Sequence, residues 1–426
     1  DSADDRVGHG THVASTVAGT GAASDGQFVG VAPGATLLNG KVLNDYGSGS
    51  TSGVIEGMEW AAAQGADIVN MSLGERYNYT DGTDPGAMAV NVLSEQYGTL
   101  FVIAAGNDGP REGTVTTPAT ADLALTVGAV DRDESIADFS SRGPRFGDHA
   151  VKPEITGPGV EIVAARAGGT AYGVPFDDFY TSLSGTSMAT PHVAGAAALV
   201  LQARPELTGQ ELKSLLVGTA VPNPDLRVLD QGAGRVNVPT ALTGDVIAEP
   251  LALFLGDYPY PQEPITVERT VTYRNLGTEA LTLDLAVAAS NSEGEAAPEG
   301  TVVVSPTILT IPAGGTAEGT LTLDTGLPGA GQFSGAVTAT SADGETHTTP
   351  FNYYKEPERY DVHIEGIARD GRPAQGSIRV LDVVDGSVSA WRNWGYDDNP
   401  CTTEDWGQSS CIRVEPGTYS ISGLVF

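Results

Sequence analysis

The chain has 426 residues, 40% of them hydrophobic, and carries 54 acidic against 22 basic side chains for a formal net charge of -32. That length excludes a single small domain and points to two or three, while the charge excludes nucleic acid and anionic membrane as partners, since both need clustered cations. The acids are spread along the chain as a solvated surface, and no apolar run approaches the roughly twenty residues of a membrane span, so membrane insertion is not expected.

Up to residue 243, short apolar runs alternate with amphipathic stretches. "ATLLNGKVL", "ADIVNMSLG", "TLFVIAAGN" and "LALTVGAV" read as buried strands, and "TSGVIEGMEWAAAQG" and "GAMAVNVLSEQYG" as helices between them. Strands apolar on both faces and separated by helices predict an α/β fold with a parallel sheet covered on each side. Reactive groups then belong in loops at the carboxyl ends of the strands.

From 244 to 355 the texture changes to alternating Thr- and Val-rich strands such as "ITVERTVTYRNLGTEALTLDLAVAA", with Gly, Pro and Asn-Leu-Gly turns, which predicts a β-sandwich. Residues 356–426 form a further β-rich piece that stops before it is plainly complete. The chain starts without Met and ends on "SISGLVF", so both ends are expected to be cut. Cys401 and Cys411 lie in one polar loop and are expected to close a small disulfide, which favours an extracellular location. The alternative, a metal site, lacks a nearby His or third Cys. No helical seam or exposed apolar strand edge is evident, and a monomer is expected.

Three segments carry candidate chemistry. In "GHGTHVAST" glycines flank His9 and a small-residue helix follows; "VIAAGNDG" delivers Asn107 from a buried strand into a loop; in "SGTSMATPHVAGAAALV" Ser187 stands where a helix begins. A serine attacks at neutral pH only when an imidazole accepts its proton. The oxyanion formed needs donors placed in advance, and the Ser187 N–H at a helix start and the Asn107 amide suit that task. Gly106 and Gly185 let backbone approach a substrate closely.

"HGTHVAS", "NMSLG", "AAGN" and "GTSMATPHVAG" together resemble the signature blocks of the subtilisin-like serine peptidases, in that family's order. The resemblance implies a subtilisin-like fold and hydrolysis of extended polypeptides, with His9 as base, Ser187 as nucleophile and Asn107 as oxyanion donor, assisted by Thr186. It also implies that Ser72, Leu73 and Gly74 form an edge on which a substrate strand adds, and that Ala104, Ala105 and Gly106 wall the primary pocket. Thr117-Pro118 matches a bond that is often cis in the family. The first β-domain resembles a fibronectin type III-like sandwich and the last piece a transthyretin-like or carboxypeptidase regulatory-like one.

Competing readings are weighed residue by residue. His12 and His192 are expected to be structural, and His149, His347 and His363 have no supporting context. No cofactor is required. Family members often bind structural calcium, yet Asp25 alone in "GAASDGQFVG" falls short of the six to eight oxygens calcium takes, so no metal site is assigned. Asp1, Asp4 and Asp5 have no strand before them, so none is assigned as the carboxylate that orients His9. Its strand is expected to lie upstream, leaving this chain weakly active or inactive. The rivals to a secreted endopeptidase are an extracellular binding or adhesion protein on an inactive protease fold, and an exopeptidase.

Overall fold

A computed structural model describes residues 4–363, 369, 376–383, 388–394, 406–407 and 411–425. Two compact units emerge: residues 1–256, 265–327 and 332–353 form one, and residues 257–264, 328–331 and 354–426 the other.

The first unit begins with α1 (His9–Ala18) and a 3-10 turn at Ala22–Ser24, followed by α2 (Thr51–Ala63), β1 (Ile68–Met71), α3 (Pro85–Tyr97), β2 (Leu100–Ala104), β3 (Leu125–Val130) and β4 (Ile155–Pro158). Local sequence starts the helices: Ser50 accepts from Gly53 N, and Asp84 accepts from Gly86 N and Ala87 N with Pro85 in the first turn. The strands pair in parallel in the order β1-β2-β3-β4, with Ile68 opposite Leu100, Val102 opposite Leu125 and Val127 opposite Ile155.

Alternation along β2 sends side chains to opposite faces of the sheet. Leu100 and Val102 pack with Val127, Ile155 and the α4 (Thr186–Ala203) residues Ala189, Val193 and Ala196. Phe101 and Ile103 instead meet Met58, Val90 and Leu93 of α2 and α3. Each fully buried side chain of this kind contributes roughly 1.5–3 kcal/mol, so both faces of the sheet hold it in place.

One expected strand does not form: Ala35–Leu43 has no assigned strand, and Leu37 and Leu38 are 48% and 51% exposed. A strand exists through its ladder, and among the described residues this segment has no ladder partner. It lines one side of a groove of 1860 Å³ whose other lining includes Asp67–Ser72, His9 and Tyr172.

A separate antiparallel sheet, ordered β5-β7-β6, is built from β5 (Ile162–Ala165), β6 (Val174–Pro175) and β7 (Tyr180–Leu183). Beyond α4 come α5 (Gly209–Gly218), closed by a Thr208–Glu211 capping box, the short α6 (Val228–Gln231) and α7 (Val238–Thr243).

The β-sandwich follows, as its alternating sequence predicts. One sheet has the order β12-β14-β10-β8, from β8 (Val246–Glu249), β10 (Thr266–Asn275), β12 (Val302–Ser305) and β14 (Thr316–Asp324). The other has the order β13-β11-β15-β16-β9, from β9 (Leu253–Tyr258), β11 (Leu281–Asn291), β13 (Ile308–Ile311), β15 (Gly331–Ser341) and β16 (Thr346–Lys355). Tyr273 and Leu321 of the first sheet and Leu285 and Val337 of the second are buried, and a Cβ added at Gly319 of β14 would lie 3.2 Å from Leu285 Cδ1 of β11, so the two sheets pack against each other. Within this unit the sandwich is fastened to α5: Ser214 Oγ donates to Ala248 O (2.9 Å) and accepts from Ala248 N (3.0 Å).

In the second unit, β17 (Tyr360–His363) pairs with β21 (Cys411–Val414), while β18 (Gly376–Asp382) pairs with β19 (Val388–Trp394) and β22 (Tyr419–Val425), and β19 with the short β20 (Trp406–Gly407). Cys401 and the Cys411 side chain, and so the expected disulfide, lie outside the described residues. Asp1 does too. No described helix is long and apolar enough to cross a membrane.

Candidate active site

His9 opens α1 because the chain turns sharply just before it. Gly8 has φ 96, and Asp5 gathers the free N–H groups of the turn, accepting from Val7 N (3.1 Å), Gly8 N (2.7 Å), Thr11 N (2.8 Å) and Thr11 Oγ1 (2.8 Å). Burial pushes the Asp5 carboxyl up, but these hydrogen bonds outweigh it and hold its pKa below the usual value. Asp5 is therefore engaged as the cap of α1. Among the described residues no carboxylate hydrogen-bonds the His9 ring; burial lowers the His9 pKa, and the Asp5 charge only partly offsets that.

Ser187 stands in the first turn of α4, half-buried, and among the described residues its N–H has no backbone partner, as expected for a helix start. The α1 and α4 N-termini adjoin: Val13, one turn beyond His9, forms a buried cluster with Leu183 and with Met188, the residue after Ser187. In this state Ser187 Oγ donates to Ser72 O (3.3 Å), and Ser72 Oγ donates to Ser187 O (2.7 Å).

Asn107 leaves the end of β2 and is exposed. Its Oδ1 accepts from Thr186 N (2.9 Å) and Thr186 Oγ1 (3.0 Å), which ties the amide to the turn that carries Ser187 and leaves Nδ2 as the free end. Thr186 Oγ1 also reaches Gly106 O (3.2 Å). Gly106 has φ 112, and a Cβ there would come within 2.8 Å of Ser141 Oγ and 2.9 Å of Thr116 Oγ1, so only glycine fits.

The expected edge and wall differ in their free groups. Ser72 is buried and engaged by Ser187, but no backbone hydrogen bond among the described residues involves Leu73 or Gly74. Ala105 is closed on both sides, its N donating to Val127 O (3.0 Å) and its O accepting from Thr116 N (3.0 Å). Leu73 and Gly74 thus have open N–H and C=O groups, and Ala104–Gly106 is a fixed surface. The Thr117-Pro118 bond is cis.

The other histidines lie apart from this chemistry. His12 is fully buried with Nε2 donating to Ile162 O (2.9 Å), which ties α1 to β5, and burial takes its pKa down to about 4. His192 Nδ1 donates to Met188 O (2.8 Å). Among the described residues no group of three or more His, Cys, Asp or Glu side chains is placed to hold a metal ion.

Two features are absent from the sequence reading. Tyr172 meets the His9 ring edge-on at 6.3 Å between centroids. A buried Lys152–Glu154–Lys213 cluster underlies the wall, with Glu154 Oε1 at 2.6 Å from Lys152 Nζ and 3.0 Å from Lys213 Nζ. The first had no local signal, being a contact across 163 positions. The second had one, two charges around a proline in the buried run "VKPEITGPG".

A family model described as the Subtilase family matches residues 1–241. The chain is similar to the serine protease AprX of Bacillus subtilis (strain 168), 40% identical over 263 residues, covering 56% of this chain and 59% of that protein. It is 39% identical over 241 residues to subtilisin DY of Bacillus licheniformis, covering 56% of this chain and 78% of that one. It is also 39% identical over 239 residues to the halolysin-like extracellular serine protease Nep of Natrialba magadii, covering 56% of this chain and 39% of that protein.

Proposed function

The chain belongs to the Subtilase family, and from that premise we propose that it is a secreted serine endopeptidase that cleaves extended polypeptides through a serine acyl-enzyme. The observation that carries this reading is the Asn107 amide tied through Thr186 to the helix turn that bears Ser187, beside the N-terminus of α1 with His9.

In the reaction, a substrate strand adds to the open backbone groups of Leu73 and Gly74 and lays the side chain before the scissile bond against Ala104–Gly106. His9 takes the Ser187 proton as Oγ attacks the carbonyl. The oxyanion receives hydrogen bonds from Ser187 N–H and Asn107 Nδ2, both fixed in advance. His9 then protonates the departing amine, and water releases the acyl group by the same steps in reverse. The Ser187 hydroxyl must swing from Ser72 O to His9 for this, a tightening that apo sites commonly need.

The extracellular location is supported by the extracellular relative. A fibronectin type III-like assignment for residues 244–355, a regulatory-like sandwich for 356–426 and a Cys401–Cys411 disulfide belong to the same reading. The experiment that tests it is incubation with a fluorophosphonate, followed by mass spectrometry of the digested protein. One slow adduct on the peptide containing Ser187, absent from the Ser187→Ala chain, is expected; an adduct elsewhere that persists in Ser187→Ala would refute the reading.

The acidic limb of kcat/KM should be centred below 6.5. The base must be neutral to accept a proton, and burial lowers the His9 pKa from its usual value of 6.5. Activity is therefore kept above that pKa and lost as pH falls through it. A limb centred above 6.5 in a kcat/KM profile would contradict this environment for His9.

A further inference from the structure

We propose that Tyr172 and the aromatic hairpin it opens form the subsite for the departing half of the substrate, with Tyr172 selecting a bulky apolar side chain directly after the scissile bond. The inference rests on the endopeptidase reading and extends it to the side of the bond that the sequence motifs leave unspecified.

The first support is chemical. His9 must protonate the departing amine, so the chain that carries this amine has to pass over the imidazole. Whatever borders His9 away from the acyl half borders that segment. Leu73 and Gly74, the acyl-side edge, follow β1 of the parallel sheet. Tyr172 lies in the loop that joins β5 to β6 of the separate sheet, and its ring stands at 70° to that of His9, 46% exposed.

The second support is rigidity. Tyr172 O accepts from Thr181 Oγ1 (3.0 Å), and Arg166 holds the turn before it through Thr170 O, at 3.0 Å from Nε and 2.6 Å from Nη2. That turn sits against Gly8, where an added Cβ would lie 2.9 Å from Thr170 Oγ1. Ala165 N donates to Ser15 Oγ (2.8 Å), which pins the base of the hairpin to α1. Tyr172 and His9 are thus carried by one fastened assembly.

The third support is the surface that continues from Tyr172. Val174, Phe176 and Phe179 are 71%, 57% and 61% exposed, and Phe176 meets Phe28 edge-on at 5.0 Å. An exposed apolar stripe that starts at the proposed base and runs outward suits an extended, apolar departing chain. Asp177 is spent on the turn itself, where its Oδ1 accepts from Phe179 N and Tyr180 N.

The test uses the full chain and a peptidyl thiobenzyl ester, which forms the acyl-enzyme without a departing peptide. Phenylalanine amide and glycine amide then compete with water for it, and by microscopic reversibility the amide enters through the site that the departing residue leaves. The unaltered chain should prefer phenylalanine amide by about tenfold, the size of one aromatic contact plus its burial. Tyr172→Ala should bring the ratio close to one, and Tyr172→Phe should keep it. A ratio unchanged in Tyr172→Ala overturns the subsite while leaving the endopeptidase reading intact. If the thioester turnover and the fluorophosphonate adduct both persist in Ser187→Ala, the endopeptidase reading fails and the subsite falls with it.

Discussion

The Ser187→Ala chain should lose about 10²-fold in turnover of an activated peptidyl thioester, far less than the about 10⁶-fold that the same change costs where serine, histidine and carboxylate act as a set. The groups of such a set are not additive, because each works only through the others. In subtilisin-type enzymes the loss of the orienting carboxylate alone costs about 10⁴. Among the described residues His9 has no carboxylate bonded to it, and Asp5 is occupied in capping α1. About 10² therefore remains for the serine to lose. Initial rates of both chains at neutral pH measure it. A loss near 10⁶ would mean that a carboxylate outside the described residues already orients His9, and no loss would remove Ser187 from the chemistry.

The parts of this site that were legible in the sequence are those fixed by local backbone. His9 opens a helix directly after Gly8, Ser187 stands second in a helix that follows Gly185, and Asn107 comes shortly after a strand, Leu100–Ala104, whose residues are all buried. A short sequence window contains everything needed to place such residues, so motif and structure agree. Ala35–Leu43 shows the opposite case. Its short apolar runs satisfy a buried-strand pattern, but a strand is a property of two segments, and no described segment pairs with this one. Tyr172 is the same lesson at the site itself, since nothing near residue 172 records that its loop returns to His9. The sandwich was legible because its sheets are antiparallel with polar and apolar residues alternating along each strand.

The second large effect concerns charge inside the core. Replacing Glu154 by Gln should destabilise the first unit by about 3–5 kcal/mol, because it leaves two buried ammonium groups without a counter-charge. Lys152, Glu154 and Lys213 are 2%, 3% and 1% exposed. Burial pushes the Lys152 ammonium down and the Glu154 carboxyl up, and their attraction opposes both, leaving the Glu154 pKa below its usual value. A fall in Tm of roughly 5–15 °C is expected by calorimetry. Glu134→Gln, which removes the partner of Arg235 at a half-exposed pair, should cost less than about 1 kcal/mol. Equal shifts in the two variants would refute the buried-charge account.

The consequence reaches the proposed pocket. Lys152 Nζ donates to Ala121 O (2.7 Å) and Ala124 O (3.1 Å), Ala121 N donates to Pro118 O (3.1 Å), Ala119 N to Thr116 O (3.0 Å) and Thr116 N to Ala105 O (3.0 Å). The cluster therefore holds the loop that backs the wall at Ala104–Gly106. An ammonium that has lost its carboxylate draws toward water and pulls on those carbonyls first, so KM for a peptide substrate should rise in Glu154→Gln at temperatures below its own melting transition. A KM that stays level until the protein melts would separate the buried cluster from the pocket and confine its role to global stability.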